Sequence, residues 1–316
     1  MRRTMTSVPL LVFLSMAAHL LQPTLCLRVS AFNIRTFGDS KLSNETVTDF
    51  IVSILFLYDI TLIQEVRDAD LSAVKKLMNR LNQASPYPYS YVVSKPLGRN
   101  SYKEQYLFVY RADDVFLLDS YYYDDGCEPC GNDTFSREPF IVKFAAPQTK
   151  VGEVILVPLH AAPDEAVAEM DALYDVFLDV RDKWGTDDML FLGDFNAGCS
   201  YVRPEDWPRI RLRTNSAFQW LIPDTADTTV TNTYCAYDRI VATGPRLRSA
   251  ILPGSAKVND FQQTFNLQQK DALAVSDHFP VEVTLKPLGV SSSPVQHHPQ
   301  RRPLRGLQSS ALRLQG

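Results

Sequence analysis

The chain has 316 residues, enough for one large α/β domain or two smaller domains, and its formal net charge is −4. Six arginines lie outside residues 27–286, at Arg2, Arg3, Arg301, Arg302, Arg305 and Arg313, so the central part is more acidic still. Because the net charge is negative, the protein cannot bind nucleic acid through overall positive charge. A nucleic-acid enzyme of this composition needs metal ions and a local basic patch.

The first 26 residues read as a secretory signal. Arg2 and Arg3 precede an apolar stretch from Val8 to Leu21, and Cys26 follows as a small residue near the expected cleavage point. The apolar stretch is short for a membrane span, although a retained anchor is the alternative. We therefore expect a secreted protein without a membrane span.

Hydrophobic periodicity predicts alternating strands and helices along residues 27–286. The predicted strands are 27–32, 60–64, 89–94, 106–110, 140–144, 154–158, 189–192, 239–242 and 279–285, and the predicted helices are 44–58, 71–82 and 164–184. Polar residues recur where these strands end. The pattern predicts one α/β domain in which two sheets pack face to face with helices outside, and in which the polar ends meet along one edge.

The last 30 residues, 287–316, differ in composition from the rest. They are rich in Pro, Ser, Gln and Arg, contain no acidic residue and show no sustained apolar period. We predict a disordered basic tail.

Four cysteines remain after a predicted cleavage at residue 26: Cys127, Cys130, Cys199 and Cys235. An even number in a secreted chain predicts two disulfides. Cys127 and Cys130 also have the spacing of a zinc or redox motif, but no second motif of this kind exists, which favours a small structural disulfide. Asn44 and Asn132 each begin a glycosylation sequon.

The segment Gly193-Asp194-Phe195-Asn196 ends an apolar strand with a carboxylate and a carboxamide. Open α/β sheets collect ligands at the carboxyl ends of their strands, and these two groups suit a hard cation and a phosphate oxygen. The alternative is a strand-end turn with no ligand, since Gly, Asp and Asn are common turn residues.

Three kinds of side chain complete a set suited to phosphoester hydrolysis. The residues 27–286 contain two histidines, His160 and His278, which could transfer protons near neutral pH. Glu104 and Asp238 could each orient one of them. Asn33, Glu65, Asp194, Asn196 and Asp277 could hold one or two divalent cations or a phosphate. For either histidine alone, a purely structural role is the alternative.

These motifs resemble the deoxyribonuclease I family, within the wider endonuclease/exonuclease/phosphatase superfamily. The resemblance runs in family order from about Leu27 to Lys286. The matching segments include Leu62-Ile63-Gln64-Glu65-Val66-Arg67, Gly98-Arg99-Asn100-Ser101-Tyr102-Lys103-Glu104, Val157-Pro158-Leu159-His160, Gly193-Asp194-Phe195-Asn196-Ala197-Gly198-Cys199-Ser200-Tyr201 and Ser276-Asp277-His278. It implies a four-layered α/β sandwich that nicks double-stranded DNA to 5′-phosphorylated ends with Mg²⁺ and Ca²⁺, Mn²⁺ being a substitute.

The resemblance also implies a role for each matching site residue. His278 with Asp238 would act as the base and His160 with Glu104 as the acid, while Asn196 would contact the scissile phosphate. The remaining assignments are Asn33, Glu65, Asp194 and Asp277 for Mg²⁺; Asp227, Thr229, Thr231 and Thr233 for one Ca²⁺; Asp125, Asp133, Phe135 and Glu138 for a second Ca²⁺; Arg35, Arg67, Asn100, Tyr102 and Arg137 for DNA; and the disulfides Cys127–Cys130 and Cys199–Cys235.

Family members also bind monomeric actin through an exposed strand, which Tyr91-Val92-Val93 matches here. Two departures weaken this expectation. Lys95 stands where an acid is expected, and Phe140 replaces a small residue, so that its ring would clash with actin. We expect a monomeric endonuclease. The alternatives are a phosphomonoesterase or lipid phosphatase of the same fold and a non-catalytic actin-binding protein.

Overall fold

The computed structural model describes residues 26–127, 130 and 133–289. The predicted signal peptide up to residue 25, Asn132 and the tail from residue 290 lie outside the described residues. Among the residues described, no helix combines the length and the apolar character that a membrane crossing requires.

Two mixed sheets of six strands each form the centre of the fold. Each sheet contains one parallel pair of strands, and its other pairs are antiparallel. The first sheet has the order β11-β12-β1-β2-β4-β3, with β1 Leu27–Phe37, β2 Ile60–Val66, β3 Tyr89–Val93, β4 Gln105–Arg111, β11 Lys257–Val258 and β12 Val281–Leu285. The second has the order β5-β6-β7-β8-β10-β9, with β5 Phe116–Tyr122, β6 Phe140–Ala146, β7 Gly152–Pro158, β8 Met189–Asp194, β9 Gln219–Trp220 and β10 Asp238–Thr243.

Of the eight α-helices described, seven pack on the outer faces of the two sheets, and the one at residues 245–250 contributes Leu247 and Ala250 to the inter-sheet core. They are α1 Asp39–Leu42, α2 Glu45–Leu55, α3 Ser72–Ala84, α4 Ala166–Trp184, α5 Arg211–Thr214, α6 Pro245–Ala250, α7 Phe261–Phe265 and α8 Gln269–Val275. The helix α2 begins after Asn44, whose side-chain oxygen accepts hydrogen bonds from the backbone of Thr46 and Val47, at 3.1 and 3.3 Å. Asn44 is therefore the N-cap of α2, a position at which Asn is common. Asn44 is exposed, as a glycosylation site requires.

Strand periodicity explains why the fold has four layers. Successive strand residues point to opposite faces, so Ala31 of β1 packs between the two sheets whereas Phe32 packs under α2, α3, α7 and α8. In β8, Leu192 packs between the sheets and Phe191 packs under α4. Nearly every residue of these strands is buried, which accounts for their continuous apolar runs. The predicted four-layered α/β sandwich is confirmed.

The structure departs from the predicted elements at several points. Asn33 lies inside β1 rather than at its end, and the pairing of β1 with β2 shifts register between Asn33 and Phe37. The prediction omits the edge strand β5, in which the first four residues are exposed. It also omits the helices α6, α7 and α8. Pro287 forms a β-bridge with Thr149, so the domain's backbone pairing extends past residue 286.

Both implied disulfides are formed, Cys127–Cys130 and Cys199–Cys235. The second joins the loop after β8 to the residues before β10, which both carry site residues. Because its two cysteines are 36 positions apart, the bond restricts a long loop of the unfolded chain.

Replacing Cys235 with Ser should therefore lower the free energy of unfolding by roughly 2–4 kcal/mol, measured by denaturant or thermal unfolding. The matched control is Cys130→Ser, since the Cys127–Cys130 separation is only 3 residues and a shorter loop contributes less entropy. An unchanged melting temperature in Cys235→Ser would contradict this prediction.

Candidate active site

The predicted site residues meet where the two sheets face each other at one edge. Asp194 ends β8, and Asp238, which begins β10, is its direct cross-strand partner. From the other sheet, the Asn33 side-chain amide donates to Asp194 Oδ2 at 3.1 Å. Asp194 is 2% exposed, so a buried carboxylate lies at the centre of the site.

Two histidine–carboxylate pairs lie around Asp194. His160 Nδ1 is 2.8 Å from Glu104 Oε2, and His278 Nδ1 is 2.7 Å from Asp238 Oδ2. With Nδ1 occupied in both rings, each Nε2 is directed to the other side, and both Nε2 atoms are 3.6 Å from Asp194 Oδ2. Two proton-transfer groups therefore converge on one point, each with its ring held by a buried acid.

A close approach of three chain segments fixes Asp194. The Gln64 side chain donates to Leu159 O at 2.7 Å and accepts from Asp194 N at 2.9 Å, so it joins the first sheet to the second. Gly193 has φ +131°, and a Cβ there would lie 2.3 Å from Leu159 O and 2.5 Å from Gln64 Nε2. Only glycine permits this approach, which explains the Gly before Asp194 in the motif.

Asn196 is held in a left-handed conformation with φ 49°. Its backbone N–H donates to Asp194 Oδ1 at 3.0 Å, and its side-chain amide donates to Ala161 O at 2.9 Å. The donor to Ala161 leaves the amide oxygen as the acceptor end of the side chain. The residue thus links the segment after β8 to the His160 segment.

Charge around His278 favours its protonated form. Burial alone would lower the pKa of His278, but the carboxylates of Asp238 and Asp194 outweigh it and raise the pKa to about 10. Burial raises the pKa of Asp238, and the neighbouring Asp194 adds to that increase. A cation held by Asp194 would offset part of the negative charge that raises the pKa of His278, and would so favour the neutral ring that a base requires.

The second pair carries an additional cation. Arg137 Nε lies 2.6 Å from Glu104 Oε2, and Arg137 Nη1 donates to His160 O at 3.1 Å. Burial and Arg137 lower the pKa of His160, but Glu104 and Asp194 raise it more. Burial raises the pKa of Glu104, yet its bonds to His160 and Arg137 bring it below its ordinary value. The pKa of His160 is therefore raised, which favours its protonated form.

The raised pKa of His278 predicts a pH-dependent contribution to stability in metal-free protein. The folded-state value of about 10 exceeds the ordinary value of 6.5, so the stabilisation is complete below about pH 6.5 and is lost as pH rises through about 10. In EDTA, the difference in melting temperature between the unmodified protein and His278→Gln should be larger at about pH 6 than at about pH 10.5. A difference independent of pH would contradict this assignment.

The donor set fits a divalent cation. Asp194, Asp238 and His278 each offer a ligand atom, and these atoms lie within 4.8 Å of one another. Among the described residues, Asn33 Oδ1, Asp238 Oδ1 and Asp277 Oδ1 are buried oxygens without a hydrogen-bond partner. Such oxygens suit a hard cation.

Glu65 and Asp277, which are also predicted Mg²⁺ ligands, each have an oxygen close to a nitrogen of another residue. Glu65 Oε2 accepts from Thr36 N at 2.8 Å, and Asp277 Oδ2 lies 3.6 Å from Arg35 Nη1. Asn33 and Asp194, by contrast, contact each other directly.

The structure brings the first predicted calcium set together. Asp227 Oδ1 accepts from the backbone and hydroxyl of Thr229, at 3.0 and 2.8 Å, and the Thr229 hydroxyl bonds Thr233 O. The Thr231 and Thr233 hydroxyls bond each other. Four residues rich in oxygen thus form a compact loop, of the kind that Ca²⁺ uses.

Three of the four residues predicted to bind a second Ca²⁺ lie within residues 133–138, and the fourth, Asp125, bonds the backbone of that segment. Asp125 Oδ2 accepts from the backbone of Thr134 and Phe135, at 2.9 and 2.5 Å. Asp133 Oδ2 lies 3.0 Å from Arg99 Nε. Phe135 is buried and Glu138 is half-buried; a cation here would compete with Arg99 for the Asp133 carboxylate.

Basic and aromatic side chains lie on the surface beside the site. The Arg67 guanidinium lies 4.0 Å from the centre of the Tyr102 ring, which is 41% exposed. Asn100 Oδ1 accepts from Tyr102 N at 2.8 Å and shapes the same loop. Arg35 is exposed. The fifth predicted DNA contact, Arg137, is half-buried and bonded to Glu104, so it lies within the site rather than on this surface.

The predicted actin segment is an edge strand. Tyr91, Val92 and Val93 belong to β3, the last strand of the first sheet, and all three are half-buried. Phe140, whose ring we expect to clash with actin, is 4% exposed, and its ring centre lies 4.9 Å from that of Tyr122, which packs against the inter-sheet core. The ring therefore points inward from β6, and its effect on actin binding stays a prediction.

Sequence reasoning missed several residues that hold the site. Gln64 is one, and the Ser276 hydroxyl, which donates to Asn33 O at 2.7 Å and accepts from Arg35 N at 3.1 Å, is another. Tyr106 Oη accepts from His160 N at 2.9 Å. A buried polar residue within an apolar strand, as at Gln64 and Tyr106, was the available signal.

The comparisons with known proteins agree with this geometry. The model of the endonuclease/exonuclease/phosphatase family matches residues 30–278. Deoxyribonuclease-1 of Gallus gallus is 67% identical over 270 residues, covering 85% of this chain and 96% of that protein, and the Homo sapiens protein of the same name is 61% identical over 282 residues, covering 89% and 100%.

Solved structures with lower identity share the fold. The human Nocturnin catalytic domain has a TM-score of 0.57 at 14% identity, covering 83% of this chain and 94% of that domain. An endonuclease/exonuclease/phosphatase from Bacteroides vulgatus has a TM-score of 0.55 at 18% identity, covering 83% and 99%. On the matched motifs and the relatives together, the chain belongs to the endonuclease/exonuclease/phosphatase family and, within it, to the deoxyribonuclease I group.

Proposed function

We propose that the chain is an endonuclease that hydrolyses double-stranded DNA to 5′-phosphorylated ends with little sequence preference. The observation that carries the proposal is the convergence of His160 Nε2 and His278 Nε2 at 3.6 Å from the same Asp194 oxygen. Two oriented imidazoles beside one carboxylate suit in-line displacement at phosphorus, because one can take a proton from water while the other gives a proton to the leaving oxygen.

In the proposed reaction, a water oxygen forms a bond to phosphorus while the bond from phosphorus to O3′ breaks. His278 takes the water proton at Nε2, and Asp238 holds its ring and stabilises the imidazolium. His160 donates its Nε2 proton to the leaving O3′, and Glu104 holds that ring. The Asn196 side chain contacts the phosphate, in a position that its bond to Ala161 O sets.

A divalent cation, Mg²⁺ or its substitute Mn²⁺, would be held by Asn33, Glu65, Asp194 and Asp277. It would supply charge stabilisation for the phosphoryl oxygens. The unpartnered oxygens of Asn33 and Asp277 support this assignment. The loops of Asp227 and Asp125 would bind Ca²⁺ and stabilise the neighbouring chain.

DNA binding would rely on the surface that contains Arg67, Tyr102, Asn100 and Arg35. An Arg stacked on an exposed Tyr suits insertion into the minor groove, where the width of the groove matters more than the base sequence. This surface also favours a nuclease over a phosphomonoesterase, since a small phosphate ester needs no groove-reading contacts.

The test is the incubation of supercoiled plasmid with purified 27–316 protein in Mg²⁺ plus Ca²⁺, followed by analysis of the ends. Polynucleotide kinase should label the nicked ends only after phosphatase treatment, because each end already carries a 5′-phosphate. Release of inorganic phosphate from phosphomonoesters without any nicking would refute the proposal and favour the phosphatase alternative.

We further propose that the protein is secreted and monomeric. The arginine-led apolar N-terminus and the two disulfides support secretion. Size-exclusion chromatography of medium from secreting cells tests both points, with intracellular retention or a dimer as the contrary results.

Actin binding is a second proposed activity, favoured by the edge position of β3. An edge strand can pair with a strand of a partner, and Tyr91 and Val93 pack toward the helices rather than toward the inter-sheet core. Nicking with and without monomeric actin tests this proposal. Inhibition supports binding, and Val93→Lys should relieve it; undiminished nicking in saturating actin would exclude it.

A further inference from the structure

Glu169 is a buried acid behind the active site. It lies in α4, is 0% exposed, and its Oε2 is a buried atom without a hydrogen-bond partner. Buried carboxyl groups are costly unless their bonds compensate. The contacts of the other oxygen, Oε1, therefore indicate what this side chain does.

Glu169 Oε1 accepts two backbone hydrogen bonds from separate segments. One comes from Ser136 N at 3.2 Å and the other from Ala162 N at 3.1 Å. Ser136 precedes Arg137, and Ala162 follows His160 by two residues. One oxygen on α4 thus holds both the segment that carries Arg137 and the segment that carries His160.

Arg137 joins the same two segments from the side of the site. Its guanidinium bonds Glu104 Oε2 at 2.6 Å and His160 O at 3.1 Å. The His160 segment is therefore fixed twice, once by Arg137 and once by Glu169. Loss of the Glu169 contact removes the shared acceptor of Ser136 N and Ala162 N, both half-buried, and with it the link between the two segments.

We propose that Glu169 is a positioning residue that sets His160 for proton donation to the leaving oxygen; this inference rests on the proposed endonuclease activity. Glu169 touches no reacting atom and acts through the backbone. Burial raises the pKa of Glu169 to about 7, so a neutral glutamine with the same acceptor oxygen is a suitable replacement.

The experiment compares Glu169→Leu, which removes the acceptor at similar size, with Glu169→Gln, which retains it. Asp171→Asn is the matched control on the same helix, because Asp171 bonds Arg211 on the outer surface. For plasmid DNA, Glu169→Leu should lower kcat at least about tenfold with KM within about twofold, while Glu169→Gln stays within about threefold and Asp171→Asn is unchanged.

A second substrate separates positioning of the acid from general damage. A p-nitrophenyl phosphodiester has a leaving group that needs no proton, so Glu169→Leu should lower its turnover by less than about threefold. Equal losses on both substrates, or unimpaired nicking by Glu169→Leu, would overturn the inference. If Glu169→Leu does not fold by circular dichroism, Glu169→Asp withdraws the oxygen by one methylene and is judged by the same two ratios. Absence of nicking by the unmodified protein would instead refute the proposed function.

Discussion

Replacing His278 with alanine is expected to lower kcat for plasmid nicking by about 10²- to 10⁴-fold, the range attributed to general acid–base catalysis. The same loss is expected for His160→Ala, because each imidazole handles a different proton of the reaction. Both rings lie at the site edge, and neither is part of a hydrophobic core cluster, so the variants should remain folded. Nicking of supercoiled plasmid under single-turnover conditions measures the effect.

The matched control for these substitutions is His297→Ala, in the predicted tail outside the domain. It should nick at the unmodified rate. If His160→Ala or His278→Ala also nicks at a near-normal rate while its far-ultraviolet circular dichroism is unchanged, the acid and base assignments are wrong.

Removal of divalent cations is expected to abolish nicking altogether. Asp194 Oδ2 lies 3.6 Å from Nε2 of both His160 and His278, and Asp194 is the cross-strand partner of the buried Asp238. Without a cation, a DNA phosphate would meet several carboxylates in a protein whose net charge is already negative. Nicking in excess EDTA should fall below detection.

Replenishment distinguishes loss of the cation from loss of the fold. Excess Mg²⁺ added after EDTA should restore the full rate, and Mn²⁺ should also restore activity. Asp194→Asn should nick poorly even in saturating Mg²⁺, since it lacks the central charge. Undiminished cleavage in chelator would exclude the metal assignments of Asn33, Glu65, Asp194 and Asp277.

The sequence was sufficient to predict the two-sheet architecture and the identity of the residues that meet in the site. One apolar strand ends in Asp194 and another leads to His160. The site residues meet because the direction of a strand determines which edge of the sheet its last residues reach. The pairing of His160 with Glu104 and of His278 with Asp238 agrees with the family resemblance. The roles of these residues in catalysis stay predictions.

The sequence did not show which face of a sheet a side chain points to, or which backbone atoms it bonds. Phe140 begins β6, and only the register of the strand shows that its ring points into the core. Gln64 and Glu169 act by bonding main-chain atoms about 95 and 33 positions away; a polar residue within an apolar strand can mark Gln64 itself, but nothing in the sequence indicates the atoms that it bonds. Edge strand β5, with exposed apolar and acidic residues, lacks the alternation that identifies strands.

The pairing of β1 with β12 has a consequence for the order in which the protein becomes active. Leu27 pairs with Leu285, so the first strand of the domain closes against its last. His278 lies three positions before the first residue of that last strand, and its carboxylate partner Asp238 comes from the opposite sheet. A chain still under synthesis lacks its proposed base until translation has passed the final strand. Chains that end before His278 therefore lack the proposed base, and chains that end before Val281 lack the strand that closes the sheet against β1.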